Sequence, residues 1–72
     1  MSRTLDARGL SCPQPVLLTM DEIKSSGESK LIIIVDNEAS RENVSRALNN
    51  QGWVVTGIEE NGPDYKIMAT RG

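Results

Sequence analysis

Residues 31–35 read Leu-Ile-Ile-Ile-Val, an uninterrupted run of aliphatic side chains in the middle of the chain. Such a run is typical of a strand that is buried on both faces or lies at the centre of a sheet, since β-branched side chains pack well there. It is far too short to cross a membrane as a helix, which takes about 20 apolar residues. The sequence therefore predicts a sheet built around this strand.

Two amphipathic segments flank the strand and predict helices. The first begins at about residues 13–15 and ends near residue 25, and the second covers about residues 38–51. Their apolar stripes are Val16, Leu17, Met20 and Ile23 in the first helix and Val44, Ala47 and Leu48 in the second. These spacings place each set on one helix face. Gly27 and Gly52 follow the two helices as C-terminal stops.

Three further segments, at residues 3–6, 53–58 and 65–70, predict the remaining strands, and Asn61-Gly62 is a hairpin signal between the last two. The order β-α-β-α-β-β predicts an α+β fold. We expect a two-layer α/β sandwich, with a four-stranded mixed sheet and both helices on one face. Trp53, Met20 and Met68 are expected to pack in its core.

Composition excludes several classes of function. The chain has 72 residues, enough for one domain, and a net charge of −2, which argues against a nucleic-acid surface. One cysteine and no histidine leave no disulfide, no zinc site and no Cys-His nucleophilic pair. A lone thiol and the lack of a signal-peptide pattern predict a cytoplasmic protein without a membrane anchor.

Cys12 stands directly before Pro13-Gln14-Pro15, where the first helix is expected to start. Unpaired N–H donors and the helix dipole at such a position lower the pKa of a thiol and make it nucleophilic. The two prolines stiffen the turn, and Arg8 lies four residues upstream as a source of positive charge. A small buried cysteine without reactivity is the alternative, and the residues alone leave the two interpretations about equal.

The segment 5–15, Leu-Asp-Ala-Arg-Gly-Leu-Ser-Cys-Pro-Gln-Pro, resembles the signature of the TusA/SirA/YedF family of small sulfur-carrier proteins. The hallmark of that family is Cys-Pro-x-Pro at the start of the first helix, and the predicted order of elements is also the family's. Residues 35–44 look most like the YedF-like branch, which is linked with selenium metabolism and often carries a second domain. The resemblance implies a single TusA-like domain over residues 1–72, and leaves open whether this is the N-terminal domain of a longer protein.

The resemblance also implies a function. Cys12 would accept a persulfide sulfur from a cysteine desulfurase and pass it to an acceptor protein, as in tRNA thiolation or cofactor assembly. The residues of the motif around it would be Arg8, Gly9, Pro13, Gln14 and Pro15. A carrier of this kind needs no cofactor or metal of its own and is no independent enzyme. We expect a monomer that binds protein partners and no nucleic acid directly.

Other interpretations stay open at this point. The first alternative is a regulatory or protein-interaction module with an incidental thiol. A single-cysteine reductase or selenium-handling enzyme is less favoured, because the sequence has no resolving cysteine and no evident general acid or base. Asp36 and Asn37 are expected to cap the second helix, with a functional role as the less favoured alternative. Arg41 and Arg46 are expected at the surface.

Overall fold

The structure, a computed structural model, describes residues 2–10, 14–25, 27 and 29–71. The elements follow one another in the predicted order. They are β1 (Ser2–Asp6), α1 (Gln14–Ser25), β2 (Lys30–Val35), α2 (Glu38–Asn50), β3 (Trp53–Asn61) and β4 (Asp64–Arg71). Within the described ranges, neither helix has the length and apolar character needed to span a bilayer.

The four strands form one mixed sheet in the order β1-β2-β4-β3. Strand β2 pairs parallel with β1 and antiparallel with β4, and β3 and β4 pair antiparallel as a hairpin. The strand predicted from residues 31–35 is therefore an interior strand, with a neighbour on each side. The predicted α+β fold with a four-stranded mixed sheet is confirmed.

Strand β2 is fully buried on one face only. Leu31, Ile33 and Val35 are at most 1% exposed, whereas Ile32 and Ile34 are half-buried. Side chains alternate between the two faces of a strand, so the first three point into the core and the other two lie on the open face of the sheet. Of the two predicted alternatives, the central position is right and burial on both faces is wrong.

The core lies between the sheet and the helix layer. Its buried apolar residues are Leu5, Ala7, Leu31, Ile33, Val35, Val44, Leu48, Trp53, Ile67 and Ala69. Trp53 is only 3% exposed, so its predicted packing role is confirmed. The guanidinium of Arg71 lies 5.1 Å from the centroid of the Trp53 ring, in reach of a cation–π contact.

The buried face of α1 differs from the predicted stripe. Leu17 is 57% exposed, while Pro15 and Thr19 are buried and Leu18 packs against the core. Residues four apart share a helix face, whereas Leu17 points about 200° away from Pro15 at about 100° per residue. The Thr19 hydroxyl donates to the Pro15 carbonyl oxygen at 2.8 Å, which allows a polar side chain to be buried here.

The hairpin also departs from the prediction in two details. Asn61 pairs with Asp64, so the two-residue loop is Gly62-Pro63, one residue later than the predicted Asn61-Gly62. Gly62 has φ of +63°, the sign that the first central residue of a type II′ turn requires. A β-bulge between Val55 and Gly57 then shifts the register of β3 against β4.

Met68 is not the core residue that the sequence predicts. It pairs with Ile32 of β2 and is half-buried on the open face of the sheet. Its methyl carbon would lie 3.2 Å from a Cβ placed on Gly57, so the glycine leaves room for the thioether side chain. Met20 is likewise half-buried and lies outside the buried core cluster.

Because β2 is buried on one face, alanine substitutions at the adjacent Ile32 and Ile33 should differ in their effect on stability. Ile33→Ala should lower the free energy of unfolding by about 2–5 kcal/mol, because it leaves a cavity under a fully buried side chain. Ile32→Ala should cost about 1 kcal/mol, since its side chain is half-buried on the open face. Urea titration followed by Trp53 fluorescence measures both. Both substitutions change strand propensity by the same amount. Equal losses of unfolding free energy in the two variants would therefore contradict burial of β2 on one face.

Candidate functional site

The motif around Cys12 spans the end of β1, the following loop and the start of α1. Ser11, Cys12 and Pro13 lie outside the described residues. The structure describes the chain on either side of them, through Leu10 and again from Gln14. The described part of the site consists of residues 6–10, the first turn of α1 and the side chains that contact them.

Residues 7–10, called here the motif loop, are anchored to the core at both ends. The Ala7 N–H donates to the Ile34 carbonyl oxygen at 2.8 Å, which extends the parallel β1–β2 pairing one residue past β1. Ala7 is buried, and Leu10 is half-buried against the core. The loop thus leaves the sheet from a fixed position at the edge where β1 and β2 end.

Arg8 is held by two carboxylates. Its Nε and Nη2 donate to the two carboxylate oxygens of Asp6 at 2.9 and 2.8 Å, and its Nη1 donates to Asp64 at 3.3 Å. The Arg8 backbone N–H also donates to Asp6, at 3.1 Å. Because such a two-pronged contact has one preferred geometry, it fixes the direction of the guanidinium.

Arg8, Asp6 and Asp64 together are called here the Arg8 cluster, and their contacts set its charge state. The hydrogen bonds from Arg8 lower the pKa of Asp6 from 3.8 to about 2, and the hydrogen bonds to Asp6 and Asp64 raise the pKa of Arg8. The arginine side chain is still 49% exposed, so solvent screens these ion pairs and their contribution to stability is small. The charge of Arg8 is already compensated within the cluster.

Gly9 forms the second polar contact of the motif loop. It has φ of +79°, a conformation that side chains disfavour, and its N–H donates to the Asp36 carboxylate at 2.8 Å. This hydrogen bond, followed by one from the Asn37 side chain, holds the pKa of Asp36 below its ordinary value. The contact links the motif loop to the segment between β2 and α2.

The first turn of α1 contains no carboxylate. Gln14 is exposed, and Pro15 is buried, where its missing N–H costs nothing because donors of the first turn have no helical partner. Two turns further along the helix, Glu22 forms an ion pair with Arg3 of β1 at 2.9 Å, which ties α1 to that strand. A helix start without acidic residues favours a negative charge near it.

The structure brings together part of the predicted site. Arg8 and Gly9 lie in the motif loop, and Gln14 and Pro15 open α1, whereas Cys12 and Pro13 fall outside the described residues. Sequence reasoning assigned no role to Asp6 or Asp64, which bind Arg8. It gave Asp36 a functional role only as the less favoured alternative to helix capping, and the contact with Gly9 supports that alternative.

The two predicted helix caps turn out to have different roles. Asn37 is the N-cap of α2, and its side-chain oxygen accepts from the Ser40 N–H at 2.7 Å, as predicted. Asp36 instead faces the motif loop. Among the described residues, no group of three or more His, Cys, Asp or Glu side chains is arranged to hold a metal ion.

Known proteins resemble this chain in sequence and in fold. The family model described as "Sulfurtransferase TusA" matches residues 3–71. A protein of Methanocaldococcus jannaschii named "Putative sulfur carrier protein" is 31% identical over 67 residues, which are 92% of this chain and 89% of that one. The crystal structure of a SirA-like protein from Desulfitobacterium hafniense superposes with a TM-score of 0.84 and 26% identity, covering 97% of each chain.

The fold and the match define a small α+β domain of the sulfur-carrier class. The chain belongs to the TusA sulfurtransferase family, because the family model covers nearly its whole length. The structural match also supports the predicted SirA-like arrangement of two helices on a four-stranded sheet.

The Arg8 cluster predicts an unusually acidic Asp6. Its carboxyl group should titrate with a midpoint at about 2 by NMR. The midpoint should move up towards 3.8 in Arg8→Ala, which removes the two side-chain donors and leaves the backbone N–H. The pKa is lowered on folding, so the contact stabilises the fold above pH 3.8 and this stabilisation disappears as the pH falls towards about 2.

Asp64→Asn is the matched control for this titration. It weakens the contact to Arg8 Nη1 but leaves all three donors that bind Asp6, so the Asp6 midpoint should stay low. Arg8→Lys keeps the charge and loses the two-pronged geometry, and should give an intermediate midpoint. An Asp6 midpoint that does not respond to Arg8→Ala would contradict the role assigned to the arginine.

Proposed function

We propose that this protein accepts a sulfur atom on Cys12 as a persulfide from a cysteine desulfurase and relays it to an acceptor protein. Membership of the sulfurtransferase family supports the reaction class. One structural observation carries the assignment to this thiol. The residues before the only cysteine are held by the contacts of Arg8 and Gly9, and the helix that begins after it has no carboxylate in its first turn.

The proposed transfer needs little from the carrier. The Cys12 thiolate attacks the terminal sulfur of a persulfide on the donor enzyme, and the sulfur–sulfur bond of the donor breaks as the new one forms. The donor cysteine leaves as a thiolate, so no external oxidant or reductant is consumed. In the second transfer a nucleophile of the acceptor attacks the terminal sulfur, and Cys12 is released as a thiolate.

This reaction agrees with the residues that the chain offers. A thiolate that is both nucleophile and leaving group requires a lowered pKa rather than a general base, and the sequence has no histidine. The pyridoxal chemistry that removes sulfur from free cysteine would belong to the donor enzyme. The proposal includes a cytoplasmic location, because a persulfide carrier with a single thiol needs a reducing compartment.

The identity of the partners is a finer part of the proposal. The acceptor would lead towards tRNA thiolation or cofactor assembly, as the resemblance implies. The link to the YedF-like branch, and with it selenium in place of sulfur, rests on residues 35–44 and stays a prediction.

The alternative is a protein-interaction module in which the thiol is incidental. One observation supports this alternative. The open face of the sheet carries a depression of about 260 Å³, lined in part by Ile32, Thr56 and Met68. Val54 is 52% exposed. If this surface were the functional one, Cys12→Ala would keep full affinity for the partner in reducing buffer.

The proposal predicts that the protein gains the mass of one sulfur atom. The purified chain is incubated with a cysteine desulfurase, its pyridoxal cofactor and cysteine, and its intact mass is measured. Wild type should gain the sulfur and lose it again on reduction, because a persulfide is reducible. Cys12→Ser should gain nothing while keeping the wild-type circular dichroism spectrum.

The pH dependence of alkylation provides an independent check that needs no partner. The Cys12 thiol should react with a midpoint below about 8.5, the value for a free cysteine. A midpoint at that value, together with no sulfur uptake from several desulfurases, would overturn the carrier proposal in favour of the interaction module.

A further inference from the structure

Three successive backbone N–H groups of the chain after β1 are bonded to three different acceptors. Ala7 donates to the Ile34 carbonyl oxygen, Arg8 to the side chain of Asp6 and Gly9 to the side chain of Asp36. Gly9 is the last of these before the segment that contains the cysteine. Among the hydrogen bonds of the described residues, its bond to Asp36 is the one nearest to Cys12 on the β1 side.

The carboxylate that binds Gly9 is itself held in place. One Asp36 oxygen accepts from Gly9 at 2.8 Å and the other accepts from the Asn37 side-chain amide at 3.1 Å. The Asn37 side-chain oxygen in turn accepts from the Ser40 N–H at 2.7 Å and caps α2. A continuous chain of hydrogen bonds thus runs from the start of α2 to the motif loop.

Asp36 is not needed as a helix cap, because Asn37 already caps α2. Asp36 does not contribute to the core either, because its side chain is exposed. The carboxylate instead binds the backbone at Gly9, whose φ of +79° lies in the left-handed region. A charge-assisted hydrogen bond to a backbone N–H is stronger than one between neutral groups, so it favours this one loop conformation.

We propose that Asp36 is a positioning residue for Cys12, acting through the Gly9 N–H to hold the motif loop that leads into the cysteine. This inference rests on the proposed function, since it concerns how the carrier thiol is activated. Asp36 makes no part of the transfer itself. It acts on the backbone that leads into the cysteine.

The hydrogen bond and the charge of Asp36 have opposite effects on the thiol. Holding the loop favours the thiolate, because the donors and dipole at a helix start act only over about one turn. The negative charge of the carboxylate disfavours a second negative charge. Other charged groups around this edge include Arg8 with its partners Asp6 and Asp64, and the Glu38–Arg41 ion pair in the first turn of α2. Lys66 and the titratable Tyr65 line the same depression as Arg8.

Two substitutions separate these effects. Asp36→Ala removes both the acceptor and the charge. Asp36→Asn removes the charge but keeps a carbonyl oxygen that can accept from Gly9. Glu42→Ala is the matched control, because it removes an exposed carboxylate from α2, away from the motif loop.

The experiment measures the rate of Cys12 alkylation by iodoacetamide against pH in all four proteins. In Asp36→Ala the midpoint should rise towards that of a free cysteine, which lowers the rate at neutral pH by about threefold for half a pH unit. In Asp36→Asn the midpoint should stay at the wild-type value or fall below it. Glu42→Ala should match wild type, and circular dichroism and urea unfolding show which variants are folded.

Every other ordering overturns the proposal. If both Asp36 variants shift the midpoint down together, the residue acts through its charge alone. If neither differs from Glu42→Ala, it has no role at the thiol. Should Asp36→Ala not fold, Asp36→Gln moves the acceptor by one methylene and should raise the midpoint in its place.

The alkylation experiment and the sulfur-uptake experiment test the two proposals separately. Alkylation reports on the thiol without any donor enzyme, so it tests the positioning by Asp36 even if wild type takes up no sulfur. Failure of sulfur uptake in wild type would overturn the carrier proposal alone. Uptake by wild type with no effect of either Asp36 variant would leave the carrier proposal standing and overturn the positioning.

Discussion

The parallel pairing of β1 with β2 is the constraint on which the rest of the site depends. Two parallel strands need a crossover connection, and α1 supplies it. The same pairing brings the carboxyl ends of both strands to one edge, so the motif loop after β1 lies beside Asp36, directly after β2. The contact between Gly9 and Asp36 joins residues 27 positions apart, and only this pairing makes it possible.

The stability of the domain and the geometry of its site have different sources. Stability comes from apolar side chains such as Ile33, Val44 and Leu48, none of them detectably exposed. The contacts of the motif loop are polar and exposed, and contacts of that kind contribute little to the free energy of unfolding. They select one arrangement of the loop instead. Substitutions in the loop can therefore change its chemistry while the fold remains.

The Arg8 cluster changes the electrostatic interpretation of the site. From the sequence, Arg8 was a source of positive charge for the thiol. In the structure two carboxylates, Asp6 and Asp64, share its guanidinium, so the cluster as a whole carries no net positive charge. The electrostatic advantage of a thiolate would then come from the helix start, where α1 has no acidic residue in its first turn. The role that the contacts of Arg8 support is to fix the position of the motif loop.

Local patterns predicted the order of the elements, because periodicity and glycine stops act over a few residues. They misplaced Leu17, since counting apolar residues ignored that Pro15 and Thr19 set the buried face of α1. Met68 was misassigned because the strand pattern does not say which face of the sheet the helices cover. The family motif supplied Arg8 and Gly9 as positions but not their partners. Asp64, 56 residues from Arg8, has no local signal at all.

A loop that is held before any partner arrives has a consequence for a relay between two proteins. Ordering a flexible segment during association weakens binding, because the entropy of that segment is lost at the interface. Here the contacts of Ala7, Arg8 and Gly9 order the loop as the domain folds. Donor and acceptor would then meet the same arrangement of the loop, and neither would need to build it. Preorganisation of this kind allows two weak encounters to occur in sequence without tight binding to either partner.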